Sequence, residues 1–81
     1  MRFVDPQTDH EVGKPLTPKQ LEVARLASRG VRIEDLATQL SITVGTAKLH
    51  LHQVYKKLGI NSRIELVLRA EDFERAPLVA R

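Results

Sequence analysis

Cysteine is absent from this chain, which excludes a disulfide-stapled scaffold and any cysteine-held zinc or iron–sulfur site. Aromatic residues are scarce: Phe3, Tyr55 and Phe73, with no tryptophan. Three rings spread so thinly make a poor platform for stacking single-stranded bases. No apolar run approaches the roughly 18 residues that cross a bilayer, and the opening MRFVDPQTDHEVGK lacks the apolar stretch of a secretory signal. The expected setting is therefore the cytoplasm, with no membrane partner. Catalytic patterns are missing too. There is no glycine-rich phosphate loop and no Cys–His nucleophile pair. His50 and His52 diverge by about 200° on a helix, whereas a shared metal needs the i, i+4 spacing. The carboxylates of Glu34-Asp35 and Glu71-Asp72 are adjacent, so on helices they point apart. The reading is a non-enzyme without cofactor or metal.

What remains is a single small domain of 81 residues, 42% hydrophobic and 28% charged, able to bury a modest core. Its net charge of +3 matters less than its distribution. Between Asp35 and Glu65 no acidic residue occurs, while the same stretch holds Lys48, Lys56, Lys57, Arg63, His50 and His52. An acid-free basic segment has the form of a phosphate footprint, although charge alone reads equally well as a solvated lysine face.

Helix signals follow one another closely. Residues 1–15, with Pro6, Gly13 and Pro15, read as a flexible lead-in. Thr17-Pro18-Lys19-Gln20 then places a hydroxyl at the N-cap, proline at the first helical position and glutamine three after the cap. This first helix stops at Gly30. A second runs from Ile33 to Leu40 and starts without a good cap, since Arg32 stands where a short polar side chain would serve. A third begins after Thr43 and ends before Gly59, with Ala47, Leu51, Val54 and Leu58 forming one apolar stripe. Ser62-Arg63-Ile64-Glu65 reads as a capping box that opens a fourth helix, which extends to Glu74. Pro77 bars its extension, so residues 75–81 read as a tail. Leu66, Val67, Ala70 and Phe73 fall on one side of this helix and Ile64 with Leu68 on nearly the opposite one, so one side packs and the other meets a partner. No strand pattern appears. The fold class is all-α, four short helices.

Only Ser41-Ile42-Thr43 joins the second and third helices, and a helix, tight turn and helix with a basic outer face is a helix-turn-helix arrangement. Gly45 near the start of the third helix costs about 1 kcal/mol of propensity relative to alanine. Close backbone approach to DNA would explain it, and so would simple tolerance. At these residues the sequence becomes specific. The stretch LTPKQLEVARLASRGVRIEDLATQLSITVGTAKLHLHQVYKKLGINSRIELV, from Leu16 onward, resembles the LuxR-type (GerE-like) DNA-binding domain of bacterial transcription regulators. The LTP opening, Gly30, Leu36-Ala37, Leu40, Ile42, Thr46-x-Lys48-x-His50, Lys57-Leu58-Gly59 and Arg63-x-Glu65 carry the resemblance in order and at matching spacing.

The resemblance implies a domain over residues 16–74 whose third helix reads double-stranded DNA and whose fourth forms a homodimer contact. By position, base contacts fall on Lys48, Leu49 and His52, and backbone contacts on Thr43, Thr46, Lys56 and Lys57. The chemistry suits those roles: lysine donates to guanine, leucine packs on a thymine methyl, and an imidazole nitrogen meets a base edge. Ile64 and Leu68 are the dimer candidates. By the same analogy RNA polymerase would meet exposed residues of the first two helices. Glu34 departs from the pattern, placing a negative charge where relatives carry a positive one. His50, on the flank of the apolar stripe, reads as a packed, hydrogen-bonded histidine or as a phosphate contact. A second class of function stands beside the first: a module that binds another regulator through its last helix and blocks it. Salt dependence separates the two.

Overall fold

The computed structural model describes residues 12–75, and every element among them is helical. In chain order these are α1 (Pro18–Ser28), α2 (Ile33–Leu40), α3 (Val44–Leu58), α4 (Arg63–Leu68) and α5 (Ala70–Arg75). The all-α expectation holds, with five segments where four were expected. The part of the lead-in before residue 12 and the part of the tail after residue 75 lie outside the described residues.

Local chemistry accounts for the helix ends. Thr17 Oγ1 accepts from the Gln20 N–H at 3.1 Å, and Gln20 Oε1 accepts from the Thr17 N–H at 3.1 Å. This is the reciprocal cap expected for α1. Helix α2 starts without a side-chain cap, as its sequence implies. Helices α1, α2 and α3 then stop in one way. The N–H of Gly30, Ser41 or Gly59 bonds three residues back, and the following N–H bonds five residues back, to Leu26, Ala37 or Tyr55. That pair of bonds needs a left-handed residue at the stop. Gly30 and Gly59 supply it readily, while at Ser41 an L side chain holds φ 58°.

Helix α1 lies at the centre and touches all four others, while α3 rests on α1 and α2. Ala24, Ala27, Ala37 and Ala47 are buried where helices meet, and their small side chains allow close backbone approach. Val23, Leu36, Val54 and Leu66 fill the space between. Full burial of each leucine stabilises the fold by roughly 1.5–3 kcal/mol. The expected stripe of α3 faces this core: Ala47 and Val54 are buried, and Leu51 and Leu58 pack half-buried against them.

The last part of the chain differs from expectation in three ways. Ser62 makes no side-chain cap. The Glu65 carboxylate accepts instead from the Asn61 N–H at 3.0 Å, one residue too early for a capping box. The expected single helix also divides at Arg69, whose N–H bonds three residues back to Leu66 in a tightened turn. Beyond that turn α5 lies on α1, where Phe73 is buried and its carbonyl accepts from both Nε and Nη2 of Arg25 at 3.2 and 3.0 Å. Finally, Val67 is not on the packed side. It is exposed together with Ile64 and Leu68, while Leu66 and Phe73 are the buried pair.

Candidate nucleic-acid interface

The site is built on α3. Thr43 begins it: its hydroxyl oxygen accepts from the Thr46 N–H at 3.1 Å and donates to the Thr46 hydroxyl at 2.9 Å. Both threonines are exposed, so the turn presents two hydroxyls at the positive end of the helix dipole. From there the helical repeat sorts the side chains. At about 100° per residue, Lys48, His52 and Lys56 form one slowly rotating row, and Leu49 lies about 100° from Lys48. This arc covers the side and back of the helix, away from the buried stripe. Lys48, Leu49 and His52 are exposed and Lys56 is half-buried. Among the described residues none of the three polar side chains of the row makes a hydrogen bond or ion pair. From Lys48 to Lys56 the row spans about 12 Å of helix axis, comparable to the width of a DNA major groove.

Two basic residues of the acid-free stretch point elsewhere. Lys57 lies about 180° around α3 from Lys48. Its ammonium donates to the Pro15 carbonyl at 3.1 Å and to Gln20 Oε1 at 2.7 Å. The buried Gln20 in turn donates from Nε2 to Gln53 Oε1 at 2.9 Å, linking the start of α1 to the flank of α3. Arg63 is also turned inward, donating from Nε to the Ala27 carbonyl at 3.1 Å and from Nη2 to the Val31 carbonyl. It thereby holds one carbonyl in the last turn of α1 and one in the loop that follows, and sits near Tyr55. Partial burial raises the Tyr55 phenol above its ordinary range, and the Arg63 charge offsets part of that rise. His50 is half-buried, and its enclosed Nδ1 has no hydrogen-bond partner, so the hydrogen-bonded histidine expected there is not formed through that atom.

A second surface lies on α4. Ile64 is 72% and Leu68 80% exposed, and with Val67, Gly30 and Arg63 they line a surface cleft of about 400 Å³. Ile64 and Leu68, the expected dimer candidates, therefore occur together on one outward patch. The Gln20–Gln53 link is one feature that the sequence does not signal. Neither glutamine carries a signal for a partner more than thirty residues away.

With this geometry in place, the family model of bacterial regulatory proteins of the luxR family (GerE) matches residues 14–70. The chain belongs to the luxR family. Its relatives agree. A candidate HTH-type transcriptional regulator of Mycobacterium tuberculosis (strain ATCC 25618 / H37Rv) is 44% identical over 52 residues, covering 64% of this chain and 6% of that protein. The transcriptional regulatory protein DesR of Bacillus subtilis is 33% identical over 58 residues, covering 72% of this chain and 29% of that protein. The nitrate/nitrite response regulator protein NarL of Escherichia coli K12 is 33% identical over 58 residues, covering 72% of this chain and 26% of that protein. The chain thus spans less than a third of the length of these curated relatives. No solved structure matches it significantly. No helix of this luxR-family chain is long and apolar enough, among the described residues, to cross a membrane.

Proposed function

We propose that this luxR-family chain binds double-stranded DNA sequence-specifically in the cytoplasm, with α3 in the major groove, and so regulates transcription. The observation that carries the reading is the outward arc of Lys48, Leu49, His52 and Lys56, turned away from the buried stripe of α3. Lys48 donates to guanine O6 and N7, Leu49 packs on a thymine methyl, and His52 meets a base edge. Thr43, Thr46 and Lys56 hold phosphates and set register without reading sequence. Lys57 leaves this set in our reading, because its ammonium is engaged by Pro15 and Gln20. A second copy joins through Ile64, Leu68 and the neighbouring Val67, burying an apolar patch that one copy leaves in water. No chemical step is involved; attraction and fit suffice.

The test is an anisotropy titration against a pool of duplexes. Lys48→Ala should relax choice at one base position and cost about 1–3 kcal/mol. Lys56→Ala should weaken all sequences alike and flatten the salt slope by about one. A pool without a preferred sequence, and variants equal to wild type, would remove the reading. One observation also favours the protein-interaction alternative: the cleft beside Ile64, Val67 and Leu68 suits an apolar side chain from another regulator. A DNA complex with several phosphate contacts should lose on the order of 10³-fold in affinity between 50 and 200 mM salt, and an apolar protein contact should not.

A further inference from the structure

We infer that residues 12–15 form a clasp on the C-terminal end of α3, and that closing or releasing this clasp sets the DNA affinity of that helix. The inference rests on the DNA-binding reading above. A helix leaves its last four carbonyls without internal partners. At the end of α3 the Tyr55 and Lys56 carbonyls are taken by the N–H groups of Ile60 and Gly59. The Lys57 carbonyl is taken from outside the helix, by the Gly13 N–H at 2.9 Å. Gly13 adopts φ +90° although nothing stands within 4 Å of where a Cβ would be. Its glycine therefore answers a backbone conformation rather than a lack of space, and that conformation aims the N–H at α3.

Two further contacts converge on the same turn. The Val12 methyls lie 3.7 and 3.8 Å from the position a Cβ would take on Gly59, which covers the helix stop. The Lys57 ammonium holds the Pro15 carbonyl as well as Gln20. Val12, Gly13 and Pro15 thus all fasten to the last turn of α3 or its cap. Lys56, the phosphate contact of the proposed reading, lies in that same turn. Lifting residues 12–15 away strips a carbonyl of its donor and uncovers Gly59, so the turn carrying Lys56 loosens.

Coupling of this kind is reciprocal. If releasing the clasp weakens DNA binding by some factor, bound DNA must strengthen the clasp by the same factor. The experiment uses the full 81-residue chain and its preferred duplex from the pool. Gly13→Pro removes the donor and forbids the positive φ, so its Kd should rise by about 5-fold or more. Val12→Ala should raise Kd by less. In the wild-type chain, amide hydrogen exchange at Gly13 should slow by a comparable factor when DNA is saturating, a readout independent of how well either variant folds. Unchanged or tighter binding by Gly13→Pro together with unchanged Gly13 exchange overturns the clasp alone and leaves the DNA reading standing. A wild-type chain that binds no duplex overturns both.

Discussion

Ser41 ends α2 in the left-handed region, at φ 58° and ψ 43°, without being glycine. An L side chain is crowded there, at a cost of roughly 1–2 kcal/mol, partly offset because glycine would lose more freedom on folding. Ser41→Gly should therefore raise the free energy of unfolding by about 0.5–1 kcal/mol, read from urea midpoints at unchanged slope. This residue also marks a boundary of what the sequence discloses. Gly30 and Gly59 were legible as stops because glycine advertises a positive φ. Ser41 makes the same bonds with a residue type that carries no such sign, so only the abrupt end of the α2 periodicity pointed to it. His50 was legible as a flank residue. The missing partner of its Nδ1 was not, because that depends on neighbours remote in sequence.

At the scale of elements, three arginines bridge the seam between α1 and the α4–α5 pair, around the buried Leu66 and Phe73. Arg63 and Arg25 donate to carbonyls across it, and Arg29 Nη2 donates to Glu74 Oε1 at 2.8 Å. Periodicity located α1, α2 and α3 closely because each buries one continuous face. It misled about the fourth helix because apolar residues occupy both of its sides there, which left the exposed one undecided. Glu65 at the right spacing did not make a capping box, since its carboxylate reached the Asn61 N–H instead. The Arg29–Glu74 pair gives this seam a pH dependence. The hydrogen bond from Arg29, with its charge, lowers the Glu74 carboxyl below the ordinary carboxylate range. A folded-state pKa depressed below the unfolded value stabilises the fold fully above the unfolded pKa, and that contribution fades as pH falls through the folded pKa. Wild type should therefore be more stable than Glu74→Gln at neutral pH, and the gap between their melting temperatures should close progressively under acid. The pair is exposed, so the gap should also shrink in high salt. A constant gap from neutral pH to acid would rule this coupling out.

For the whole molecule, the decisive property is where positive charge is free to act. The acid-free stretch was visible in the sequence, and the helical repeat alone put Lys48, His52 and Lys56 on one outward row. Invisible there was the withdrawal of Lys57 and Arg63, because Pro15, Gln20, Ala27 and Val31 reach them only through the tertiary fold. Among the described residues, the acid-free stretch thus offers fewer outward cations than its composition suggests. Against this reduced set, Glu34 and Asp35 stand exposed on α2, the helix that packs on α3. Asp35 has Arg32 at 3.4 Å, whereas no hydrogen bond or ion pair engages the Glu34 carboxylate among the described residues. In the proposed complex with α3 in the major groove, the first helix of the pair would cross the phosphate backbone, so this carboxylate would oppose the phosphates. Glu34→Lys should therefore tighten binding to every duplex by a similar factor. The slope of log K against log salt should steepen by about 0.9, the value for one more neutralised phosphate. Sequence preference should not change, since α2 touches no base edge in this arrangement. Titrations of both chains at several salt concentrations, on preferred and unrelated duplexes, provide the check. A tighter complex with one sequence alone would place Glu34 at a base edge, and an unchanged slope would place it away from the DNA altogether.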